Sequence, residues 1–129
     1  MPYEIAFSKV LTPPQDADYI NDCCFGGDIV SDRLLPEISK RYKPLQHNQE
    51  DWGWFIWIES PAESLAVDIF CDDPAEGQFR IHLTSRKRRW ILPDVVVDTP
   101  ELDQLKSIVT SEIEKWAGPC RVERIVGSA

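Results

Sequence analysis

Trp52-Gly53-Trp54-Phe55-Ile56-Trp57-Ile58-Glu59, Leu65-Ala66-Val67-Asp68-Ile69-Phe70-Cys71 and Gln78-Phe79-Arg80-Ile81-His82-Leu83-Thr84-Ser85 decide the fold. Each run is rich in β-branched and aromatic residues, and turn-prone residues separate them: Ser60-Pro61-Ala62-Glu63-Ser64, then Asp72-Asp73-Pro74-Ala75-Glu76-Gly77. Such a pattern reads as three successive β-strands. Side chains alternate between the two faces of a strand. Phe79, Ile81 and Leu83 therefore share a side, as do Leu65, Val67 and Ile69, and Trp54, Ile56 and Ile58. All of these are apolar, so one sheet face is core. A slip of one residue would turn every one of them to the other face, so the hydrophobic pattern sets the register.

The opposite face is mixed. It carries Phe55, Trp57 and Glu59 from the first strand, Ala66, Asp68 and Phe70 from the second, and Arg80, His82 and Thr84 from the third. Asp68 needs an explanation, because an unpaired buried carboxylate is costly. The register places it opposite or diagonal to Arg80, within reach of a charge pair, with His82 beside it.

Working outward, Tyr3 to Ser8 alternates and predicts a further half-buried strand, which Thr12-Pro13-Pro14 ends. Asp16 to Cys24 suggests a short helix. A second helix is expected to start at Asp28, Ser31 or Asp32, all good N-cap residues, with Leu34, Leu35, Ile38 and Tyr42 on its apolar face. Pro36 fits its first turn if Asp32 is the cap. Leu45 to Asp51 reads as a polar loop. Trp90-Ile91-Leu92 or Val95-Val96-Val97 should add a fourth strand to the three. Thr99 should cap a helix opened by Pro100 and stopped by Gly118-Pro119, with Leu102, Leu105, Val109, Ile113 and Trp116 as its stripe. Arg121 to Val126 reads as an edge strand. The expected fold is α+β: a two-layer sandwich in which two main helices pack on one face of a mostly antiparallel sheet of four to six strands.

At 129 residues, with 43% hydrophobic and 28% charged residues, the chain is sized and composed for one domain, 1–129. No apolar run is long enough to span a membrane, and the N-terminus has no signal-peptide pattern, so a cytoplasmic location is expected. The net charge of −8 disfavours nucleic acid and anionic membranes as partners and suits a basic protein partner. The basic cluster Arg86-Lys87-Arg88-Arg89 reads as a solvated hairpin tip or, alternatively, an anion contact.

No metal or cofactor is implied. Cys23, Cys24, Cys71 and Cys120 have no zinc-ligand spacing, and free thiols are expected. Gly26-Gly27-Asp28 lacks the lysine of a phosphate loop. Asp72-Asp73 with Glu76 reads as a solvated acidic turn rather than a cation site. Cys71 and His82 fall on opposite sides of the sheet, which excludes a nucleophile–base pair.

The order helix, three strands, helix, strand is similar to the core of restriction-endonuclease-like nucleases. Those carry an acid on the second core strand and an acid-x-Lys on the third. Asp68 matches the first, but Arg80-Ile81-His82 supplies neither acid nor lysine. A degenerate relative is the most this resemblance implies.

The leading expectation is a non-enzymatic binding or regulatory module that uses Phe55, Trp57, Asp68, Phe70, Arg80 and His82 to hold a protein partner or a second copy of the chain. An acidic protein that neutralises a basic toxin or enzyme is one version. The alternative is a binding protein or enzyme for a small anionic ligand, held by Arg80 and His82 over the aromatics, with Asp68 nearby.

Overall fold

The computed structural model describes residues 3–13, 15–59, 63–87, 95–96 and 99–125. The strands are β1 (Tyr3–Ser8), β2 (Pro44–Glu50), β3 (Gly53–Glu59), β4 (Glu63–Asp73), β5 (Gln78–Lys87), β6 (Val95–Val96) and β7 (Arg121–Arg124). The helices are α1 (Gly27–Ser39) and α2 (Pro100–Ala117), preceded by a single 3-10 turn at Asp22–Cys24. The strands form one antiparallel sheet in the order β2-β3-β4-β5-β1-β7, with β6 pairing the far end of β5. This is the α+β sandwich expected from the hydrophobic pattern.

The register follows that pattern. Trp54 faces Ile69, which faces Ile81, which faces Ile5; Ile56 faces Val67, which faces Leu83, which faces Tyr3. Both helices seal this face. Val30, Leu34 and Ile38 of α1, with Leu102, Leu105, Val109 and Ile113 of α2, share one buried cluster with those strand residues. Trp116 completes the stripe from the rim, packed on the cluster and tilted against Phe7 at 6.2 Å. The Thr99 hydroxyl accepts from the Leu102 N–H at 3.1 Å, as an N-cap should.

Three expectations change. Leu45 to Asp51 is not a loop: Pro44–Glu50 is strand β2, at the sheet edge. From Gln46 to Glu50 its side chains are polar and mostly exposed, so no alternation marks it. A two-residue turn, Asp51-Trp52, pairs it with β3, and Gly53 makes that turn feasible. Gly53 has φ 152°, and a Cβ there would run into the Ile69 carbonyl.

The segment from Asp16 to Cys24 forms only the 3-10 turn, capped by Asn21, whose Oδ1 accepts from Cys23 N–H at 2.9 Å. Of the three expected starts, the helix lies beside the earliest, Asp28: α1 begins at Gly27, with Gly26 at φ 74° as its cap, and Ser31 and Asp32 lie within it. Pro36 therefore lies inside the helix. Asp32, whose carbonyl loses its usual donor, is exposed along with Pro36. Of the expected apolar face, Leu34 and Ile38 are buried, while Leu35 and Tyr42 pack at its edge and Val30 joins them. Val95-Val96 supplies the extra strand; Trp90-Ile91-Leu92, Arg88 and Arg89 lie outside the described residues, as does Val126 of the last strand.

Candidate functional site

Helices α1 and α2 both lie on the core side, so the alternate residues of β3, β4 and β5 form the second, open face of the sheet. Its rows follow from the register. Phe55, Asp68, His82 and Glu4 form one cross-strand row; Trp57, Ala66 and Thr84 form the next; Glu59, Ser64 and Arg86 form the third. On the other side of Asp68, Phe70 pairs with Arg80.

The aromatics on this face have different roles. Phe55 is only 2% exposed, its ring tilted against Trp57 at 4.7 Å, and acts as floor beneath that indole. Trp57 itself is 48% exposed. Trp52, from the β2–β3 turn, leans over the sheet onto Phe70 at 5.2 Å. The small side chains of Ala66 and Thr84 leave a hollow between these indoles and the Arg86 end. The resulting pocket of about 400 Å³ is lined by Trp52, Trp57, Ala66, Asp68, Thr84 and Arg86 among others. That volume lies within the range of small-ligand and side-chain pockets. Gly26 and Gly27 do not cover it: they pack on the core side, where the Trp54 indole lies against Gly27 and Phe79 lies against Gly26.

The charged groups pair differently from the expectation. Arg80 is not the partner of Asp68. Its guanidinium lies over the Phe70 ring at 4.5 Å and binds both Asp72 oxygens at 3.2 Å, with Glu4 at 3.6 Å. A bulge in β4 between Cys71 and Asp73 accompanies this pairing, two residues along the strand from Phe70. His82 is the cross-strand neighbour of Asp68, but its Nε2 faces Glu4 at 2.9 Å and the Arg80 Nη1 at 3.2 Å. Glu4, from β1, is one residue that sequence reading missed; Trp52 and Arg86 are the others. The strand of Glu4 adds to β5 on the side away from β4, a pairing that local pattern does not announce.

Asp68 is left without a hydrogen bond or ion pair among the described residues. Removal from water pushes its carboxyl above the usual aspartate range, against the opposing pull of the His82 and Arg86 charges. Arg86 stands exposed at the opposite end of the pocket.

Elsewhere, the acidic turn is self-contained: Asp72 holds Arg80, and the Asp73 carboxylate accepts from the N–H groups of Ala75 and Glu76 at 3.1 and 3.2 Å. Cys71 is buried on the core side, where desolvation pushes its thiol up to about 11, and His82 is on the open face. The four cysteines are free thiols. Glu63, expected in a turn, begins β4 and is buried beneath the start of α2; its Oε2 accepts from the Thr99 hydroxyl at 2.6 Å and from the Ser85 hydroxyl. This carboxylate ties the helix cap to the sheet and is structural.

Among the described residues, no group of three or more His, Cys, Asp or Glu is placed to hold a metal ion, and no helix is long and apolar enough to cross a membrane. No family model, curated protein or solved structure matches this chain. The functional reading rests on the chemistry of the open face.

Proposed function

We propose that this protein is a non-enzymatic binding module whose open sheet face docks a protein partner. One observation carries the reading: Trp57, half-exposed, stands beside a pocket whose only unpartnered carboxylate among the described residues is Asp68. A large aromatic kept at a surface next to a concavity, ringed by charge, has the composition of an interface anchor. Phe55 supports it from beneath, so the indole is held by packing. The net charge of −8 favours a partner with a basic surface and would steer its approach.

The geometry favours this over the small-anion reading. The donors that would hold an anion, Arg80 and His82, are already turned to Asp72 and Glu4. Enzyme chemistry has no support on this face: among the described residues, the His82 ring meets Glu4 and Arg80, and no hydroxyl or thiol is hydrogen-bonded to it.

The test is a photo-crosslinking residue placed at Gln46, the exposed cross-strand neighbour of Trp57, in the cells that make the protein. A control carries the same residue at exposed Ser111 on α2. One adduct of defined mass, specific to position 46 and lost on adding Trp57→Ala, is the expected result. No adduct, the same adducts from position 111, or indifference to Trp57→Ala would overturn the reading. An adduct of twice the chain mass would assign the face to a second copy of this chain and overturn the partner reading too.

A further inference from the structure

We infer that the pocket between Trp52, Trp57 and Asp68 receives a cationic side chain, an arginine guanidinium or lysine ammonium, presented by a basic protein partner. This rests on the reading of the open face as a docking surface and gives that surface its chemical specificity.

Every other charged group on the Asp68 side of the face has found a partner: Arg80 with Asp72 and Glu4, and His82 with Glu4. Asp68 has none among the described residues, although His82 is its cross-strand neighbour. It sits half-buried beside Phe55, Phe70 and Trp52, and partial removal from water raises its pKa. A half-buried charge gains from a partner that arrives with donors, because part of the desolvation cost is already spent in the free protein.

The walls point to the same guest. The faces of tryptophan rings attract cations, and guanidinium groups stack on them. Trp52 and Trp57 both line the pocket that Asp68 enters, so a guest can meet indole and carboxylate together. Ala66 and Thr84 keep the space between them clear. A volume of about 400 Å³ accommodates an arginine side chain with its flanking backbone.

Among the described residues that line the pocket, Arg86 is the one that opposes a cation. It lines the far end of the pocket, on the row of Ser64 and Glu59, with the Ala66–Thr84 row between it and that of Asp68. It is exposed, so solvent screens it, whereas Asp68 lies deeper. A guest carboxylate at the Arg86 end is the competing occupant.

The experiment titrates the intact protein with Nα-acetyl-arginine methylamide, and separately with the lysine and glutamate analogues, following ¹⁵N-resolved backbone and indole N–H signals. The arginine probe, and more weakly the lysine probe, should shift the Trp52 and Trp57 indoles and the Ala66 and Asp68 amides saturably, in the millimolar range. Asp68→Asn should weaken binding about tenfold or more, the size of one charge-assisted hydrogen bond. Ala66→Phe, which plugs the hollow from an exposed sheet face, should abolish it while preserving the dispersed spectrum. No saturable shift at these positions, or equal arginine affinity in Asp68→Asn, overturns the inference. So does tighter binding of the glutamate probe that is lost in Arg86→Gln. A partner crosslinked at position 46, with no arginine binding, would leave the docking face standing and remove only its cation pocket. Failure of the crosslink with success of the titration would do the reverse.

Discussion

The two faces of this sheet are built from the same three strands, on alternate residues, yet they obey different rules. On the covered face, Ile56, Val67, Ile69, Ile81 and Leu83 are fully buried under two helices, and their chemistry is interchangeable apolar bulk. On the open face, Phe55, Asp68, Phe70, Arg80 and His82 hold distinct roles as floor, unpartnered charge, ring platform and ion-pair members. Apolar burial is concentrated on the first face, and charged and aromatic groups of unlike surroundings on the second. The pleat lets one strand serve both, because a side chain on one side never competes for space with its neighbour on the other.

The largest test of that contrast is Leu105→Ala on α2. Leu105 is 0% exposed in the sealed cluster, so truncation should cost about 2–5 kcal/mol in urea or thermal unfolding. A loss below about 0.5 kcal/mol would show that the covered face is not the stabilising one.

Trp57→Ala removes a larger side chain from the open face, and the expected loss is smaller. The indole is half in water, so what goes is chiefly its ring contact with Phe55, about 1 kcal/mol or less. The two variants sharpen the comparison when measured side by side. A Trp57→Ala protein as destabilised as Leu105→Ala would make the open face a second core.

Asp68→Asn should have the smallest effect and the opposite sign. The folded-state pKa of Asp68 is raised by burial, so the native protein holds this proton to a higher pH than the unfolded chain does. Stability then falls as pH rises from the ordinary aspartate value, about 3.9, through the raised one. A neutral amide escapes that loss. The variant should therefore be the more stable protein at pH 7, with its advantage vanishing at and below about pH 4. A less stable variant at pH 7 would mean that the carboxylate has a stabilising partner. For the same reason a double-mutant cycle between Asp68 and Arg80 should show little coupling, in contrast to a paired contact.

Much of this was legible in the sequence where one periodicity dominated. The α2 stripe, its Thr99 cap and its Gly118 stop agree with one another, and the helix has those bounds. The alternation in β1, β3, β4 and β5 gave the correct face for every apolar residue named. Strand β2 escaped notice because it is polar along its exposed length and owes its conformation to backbone pairing with β3. Which of the three starts α1 lies beside was hidden because its cap is a glycine, which makes no side-chain hydrogen bond. The six residues expected at the site do share the open face, but Trp52, Glu4 and Arg86 had to be added to it.

By itself, then, the sequence determined which residues are core and which lie on the other side, because burial of apolar area depends only on the period of the chain. It did not determine which charges pair. That choice was made by the tertiary structure, which brought Glu4 from the N-terminal strand to His82 and Arg80 and turned Asp72 toward the same guanidinium. Coulomb attraction acts over a few ångströms and ignores separation along the chain, so the winning partner is the one that topology delivers. By that same outcome Asp68 was left beside aromatic rings, with no hydrogen bond or ion pair among the described residues.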